Sequence, residues 1–93
     1  MVTSIILLNV ERTQINEVAA QLVELDEISE VYSVSGKYDL IAIVRVRSND
    51  DLSMLVTEKL REIKNIEATE TMLAFKAYSK HDLESMFSLG LEK

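Results

Sequence analysis

The chain contains no cysteine, no proline and no tryptophan, and it has only two glycines and one histidine. Without cysteine there is no disulfide, no thiolate metal site and no thiol nucleophile. The single histidine, His81, does not build an ordinary metal site, and no serine stands with it in a motif for nucleophilic catalysis. Its plain reading is an exposed residue in the first turn of a last helix, beside Asp82. No Gly-rich loop is present to cradle phosphates. The chain is therefore expected not to be an enzyme and to need no cofactor.

Positive charge is scarce as well. Lys and Arg number 10 against 16 Asp and Glu, a net charge of −6. Nucleic-acid affinity comes chiefly from cations that neutralise phosphates, and Arg45, Arg47, Arg61 and Lys64 make only loose basic pairs, read as solvated faces. Aromatics are few, and the middle strands carry none except Tyr38 at the edge of a turn, which excludes an RNA-stacking sheet. No apolar run approaches the ~20 residues that span a bilayer. The opening MVTSIILLNVERTQ lacks both the basic region and the small-residue cleavage site of a signal peptide. The expectation is a soluble cytoplasmic protein with no direct nucleic-acid or membrane partner.

What the chain has in excess is apolar aliphatic material: 47% of its 93 residues are hydrophobic. That length makes one domain, residues 1–93, with a small core. The surplus already points to oligomerisation. Residues 2–10 are strand formers, and Thr13 reads as the N-cap of a helix whose Ile15, Val18, Ala19, Leu22 and Val23 share one face. Residues 28–35 and 38–47 read as two strands joined by Gly36-Lys37, a two-residue connection with glycine where a type II′ turn requires it. Ser48 and Asp51 are spaced as a capping box for a second helix, with an inner stripe of Leu52, Leu55, Val56, Lys59, Leu60 and Ile63. Residues 66–78 read as a fourth strand and 81–91 as a short third helix.

The order βαββαβ is the split, ferredoxin-like α+β arrangement with a four-stranded antiparallel sheet. Leu25 precedes Ile28 as Ile63 precedes Ile66, so the two halves echo each other. Right-handed crossovers put both long helices on one face of the sheet. The other face is apolar too, since Ile5 and Leu7, Ile41 and Ile43 occupy the opposite phase to Ile6, Leu8, Leu40 and Ala42. A second chain packed sheet against sheet is the simple way to cover it.

Asp39 stands at the mouth of the very apolar third strand, where neither strand nor turn needs a carboxylate. It is either a solvated turn residue or an acceptor for a positive group. A small zwitterion suits the available residues: Asp39 for an ammonium group, the hydroxyls of Thr69 and Thr71 on one face of strand four, the backbone at Gly36, and aliphatic walls. Tyr38, next to Asp39, points by alternation to the other face, and packing at a subunit contact competes with ligand contact there. Glu67 and Glu70, or Asp50 and Asp51, read as solvated charges rather than a cation site.

SGKYDLIAIVRV, followed by a helix and then by NIEATETMLAFK, resembles the effector-binding domain of the leucine-responsive/asparagine regulator (Lrp/AsnC) family, over residues 2–80. The resemblance implies amino-acid or similar small effectors, and dimers that associate into larger rings, commonly octamers. It places Gly36, Tyr38 and Asp39 on the ligand-side turn and Thr69 and Thr71 on the facing strand. Regulators of that family begin with a helix-turn-helix domain, whereas this sequence starts at strand one and resembles the stand-alone sensor. Any transcriptional control is then expected to pass through DNA-binding partners, such as full-length family members. Other readings are an interaction module without ligand, an ACT-type regulatory domain, whose usual glycine after strand one is missing from Asn9-Val10-Glu11-Arg12-Thr13 here, and a cofactor-free monooxygenase of the dimeric α+β barrel class using His81 or Tyr38.

Overall fold

The computed structural model describes residues 1–80; the third helix expected at 81–91, with His81, lies outside the described residues. Strand β1 spans Val2–Val10, and a 3-10 turn at Arg12–Gln14 leads into helix α1, Ile15–Val23. Strands β2, Ile28–Ser33, and β3, Leu40–Val46, follow. Helix α2 opens as an α-helix over Asn49–Met54, passes through a π-helical stretch at Leu55–Lys59 and closes as a 3-10 turn at Leu60–Glu62. Strand β4 is Ile66–Ala74. The four strands form one antiparallel sheet in the order β2-β3-β1-β4. This is the expected ferredoxin-like α+β fold. Among the described residues no helix is long and apolar enough to cross a membrane.

Alternation along the strands decides the core. Ile6, Leu8, Leu40, Ala42 and Val44 are fully buried on the helix side, where Val18, Leu22 and Leu55 meet them. Ser4 shares that buried phase with its hydroxyl satisfied, donating to the Met72 carbonyl at 2.7 Å, which offsets its desolvation. On the opposite side the register aligns Ile43, Ile5 and Met72 in one row and Tyr32, Ile41, Leu7 and Glu70 in the next. Met72 is 43% and Tyr32 50% exposed, so the second face is apolar at its centre and open, as its sequence pattern implies.

Three expected boundaries move, each for a local reason. Thr13 does not cap the first helix: Glu11 caps the 3-10 turn before it, the Thr13 amide donating to Glu11 Oε2 at 2.9 Å and the Thr13 hydroxyl to the same carboxylate, while α1 itself starts from Gln14 without a side-chain cap. The 3-10 turn brings the open amides forward, so the acceptor must stand earlier. Strand four ends at Ala74 rather than at 78 because Ala74 pairs with Thr3, at the very start of β1. Beyond it the ladder has no partner. The β2–β3 connection is the six residues 34–39, not Gly36-Lys37 alone, so β2 stops at Ser33 and β3 starts at Leu40. Val34 N donates to Asp39 O at 3.1 Å, closing the wider loop. Gly36 has φ +109, and a Cβ there would meet nothing within 4 Å. Its backbone torsion, not crowding, requires glycine. The Ser48 cap forms as expected, its hydroxyl accepting from Asp51 N at 3.2 Å.

Candidate effector-binding site

The loop residues come first. Asp39 N donates to Leu8 O at 2.9 Å, and Asp39 Oδ2 accepts from Val10 N at 2.9 Å. The carboxylate thus prolongs the pairing of β3 with β1 past Leu8↔Leu40, the last regular pair. A strand does have a use for an acid at its mouth when the neighbouring strand runs on with an amide to satisfy. Among the described residues, no donor meets the second oxygen, Oδ1. Tyr38 lies outside β3 and its hydroxyl donates to Glu70 Oε2 at 2.6 Å. Accepting that proton, Glu70 holds the Tyr38 phenol above the usual tyrosine range. Glu70 sits opposite Leu7, in the open-face row.

Thr69 and Thr71 sit opposite Leu8 and Ile6, on the helix side of the sheet. They share a face with each other, but not with Glu70, which anchors Tyr38. Two strand spacings, about 9.6 Å, also separate β3 from β4, since β1 lies between them. One chain therefore gathers Gly36, Tyr38 and Asp39 in one loop and Thr69 with Thr71 on a separate face. It does not bring the five together.

Thr69 instead borders a groove of about 530 Å³ between α2 and β4. Its floor is apolar, with Val56, Leu60, Ile63, Ile66 and Ala68, and its rim carries Thr57, Arg61, Glu67 and Thr69. Two irregularities build it. The π-helical stretch widens α2 where Val56 and Thr57 lie. The register of β1 with β4 shifts between Asn9 and Val10, so that Ile66 and Glu67, successive in sequence, both reach the same groove. Arg61 and Glu67 look like ordinary solvated charges in the sequence. Lys59, the charged residue inside the apolar stripe of the helix, lies outside the groove and pairs with Glu27 at the α1–β2 turn. That pairing holds the Glu27 carboxyl below its usual range, against the opposing effect of burial.

A ferredoxin-like domain with an open apolar sheet face and a small mixed-polarity groove offers a place for a small ligand. Residues 3–83 match the model of the Lrp/AsnC ligand binding domain, and the chain belongs to that family. It is similar to the HTH-type transcriptional regulator FL11 of Pyrococcus furiosus, at 30% identity over 79 residues, which make up 85% of this chain and 52% of that protein. The chain thus spans about half the length of that relative. Among solved structures it is similar to TTHA0845 of Thermus thermophilus, with a TM-score of 0.80 and 36% identity over 86% of this chain and 100% of the other. Escherichia coli AsnC matches with a TM-score of 0.78 and 28% identity, over 84% of this chain and 53% of AsnC.

Proposed function

We propose that the chain is an effector-sensing module of transcriptional regulation, which binds an amino acid or similar small effector and acts by association rather than by catalysis. The observation that carries this reading is the family match over nearly the whole chain. The fold supports it through the open sheet face, on which Ile5, Leu7, Ile41 and Ile43 lie side by side and only partly buried among the described residues. Packed on a second copy, that face closes a dimer. Dimers then associate into a larger ring, an octamer in the form the family resemblance implies. Because Asp39 and the threonines Thr69 and Thr71 are not gathered in one chain, a site that uses Gly36, Tyr38 and Asp39 takes its hydroxyls from a neighbouring copy. Control of DNA, in the cytoplasm, passes through full-length regulators of the same family, since the chain, with a net charge of −6, lacks the positive charge that holds a duplex.

A thermal-shift screen of the twenty amino acids tests the reading. At least one should raise the melting temperature, since a ligand that binds only the folded state stabilises it by about 2.7 kcal/mol at a hundredfold excess over Kd. No shift with any of them would remove the sensing role and leave an interaction module. Light scattering tests the association: the wild type should run as a dimer or larger, and Ile43→Glu should dissociate it or prevent folding, because an unpaired buried carboxylate is costly. A monodisperse wild-type monomer at micromolar concentration would overturn the sheet-packing argument.

A further inference from the structure

We infer that the groove between α2 and β4 is itself a complete subsite for an apolar α-amino acid, with Arg61 receiving the carboxylate and Glu67 the ammonium group. The inference rests on the effector-binding reading above, but not on loop residues 36–39. Its volume of about 530 Å³ falls within the roughly 300–1,000 Å³ of ordinary small-molecule sites. Its charge is complementary to a zwitterion: one guanidinium and one carboxylate line the same groove, and neither has an ion-pair partner among the described residues.

The two hydroxyls sort themselves the same way. Thr57 donates its proton to the Ser53 carbonyl at 2.7 Å, so its oxygen is left only to accept, which suits an ammonium group. The Thr69 hydroxyl makes no hydrogen bond among the described residues, so its proton is available to a carboxylate. Leu60, Ile63 and Ile66 offer an apolar wall for an aliphatic side chain. The groove owes its shape to a π-helical stretch facing a shifted strand register, and both departures recur beside functional sites.

Calorimetric titration with three matched probes tests this: L-leucine, its 2-oxo acid without the ammonium group, and 3-methylbutylamine without the carboxylate. The wild type should bind leucine more tightly than either analogue. Arg61→Gln should weaken leucine and the oxo acid roughly tenfold or more and leave the amine unchanged; Glu67→Gln should do the reverse, sparing the oxo acid. Glu17→Gln, on the exposed face of α1 and away from the groove, should leave all three unchanged. If leucine binds both groove variants as tightly as the wild type, Arg61 and Glu67 are solvated surface charges and the inference is overturned. Should Asp39→Asn alone abolish leucine binding, the sensing role survives at the loop while the groove falls. If leucine, valine and methionine all fail to bind the wild type at millimolar concentration, the groove is not such a site; whether sensing also fails is then read from the twenty-amino-acid screen.

Discussion

The two βαβ units end their helices in the same way and are buried differently. Leu22, Leu25 and Ile28 in the first recur at the same spacing as Leu60, Ile63 and Ile66 in the second. Both close the helix with a short turn, Leu25 N donating to Leu22 O at 3.0 Å and Ile63 N to Leu60 O at 3.2 Å. Yet Ile28 is 5% exposed, beneath α1, whereas Ile66 is only half-buried. Helix α1 packs on β2 and β3, and α2 packs chiefly on β3 and β1. Among the described residues one outer strand is covered and the other, β4, is left with its helix side open. The imperfect copy of the repeat is where the groove lies, because a cavity needs an element that does not quite reach its neighbour.

The largest expected effect sharpens that contrast. Leu22→Ala should cost about 2–5 kcal/mol in urea unfolding, as a fully buried leucine whose cavity stays dry. Leu60→Ala should fall at the bottom of that range or below, roughly 2 kcal/mol, since water from the groove can enter the space it leaves. Equal losses would mean the two units are packed alike. Next comes Asp39→Ala, which strands the Val10 amide and should cost about 1–3 kcal/mol without any ligand. Asp39→Asn keeps an acceptor oxygen and should lose less than half as much by the same measurement.

A smaller effect concerns the pair that ties the units together. Lys59 of α2 holds the Glu27 carboxyl below its ordinary value of 4.5. A depressed carboxyl contributes stability that is present above its unfolded pKa and lost as pH falls through its folded one. Lys59→Met should therefore lower stability at pH 7 and flatten its decline on acidification below about pH 4.5. Urea midpoints at pH 7 and pH 3 check both parts; an unchanged acid slope would make the pair a solvated contact. The smallest effect is Thr71→Val on the exposed side of β4, expected within about 0.5 kcal/mol of wild type. A larger loss would show that β4 is more tightly packed than its exposure implies.

Element type and order were legible because they follow from short periods: alternation for Ile5 to Val10 and Leu40 to Val46, and recurrence every three or four residues for Val18 and Leu22. The Ser48 cap was legible for the same reason, its donor and acceptor being three residues apart. Element ends were less so. The end of β4 depends on where β1 begins, 71 positions earlier by the pairing Thr3↔Ala74, and the Glu11 cap depends on a 3-10 turn that propensity does not announce. The candidate site was the least legible. Asp39, Tyr38 and the threonines were identifiable as chemistry, but their faces and partners follow from register.

The βαββαβ order and the two apolar sheet faces are written in the residue pattern, because hydrophobic alternation is a local property and burial rewards it directly. Composition alone also withheld the residues for thiol chemistry and the net positive charge for holding a duplex. Only the tertiary structure decided that the Asp39 carboxylate serves the Val10 amide, that Tyr38 reaches Glu70, and that Arg61 and Glu67 border one groove. Those pairings join residues 29 and 32 positions apart for the first two. Their geometry is set by strand order, by a one-residue shift in register and by a widened helical turn, none of which any single segment encodes.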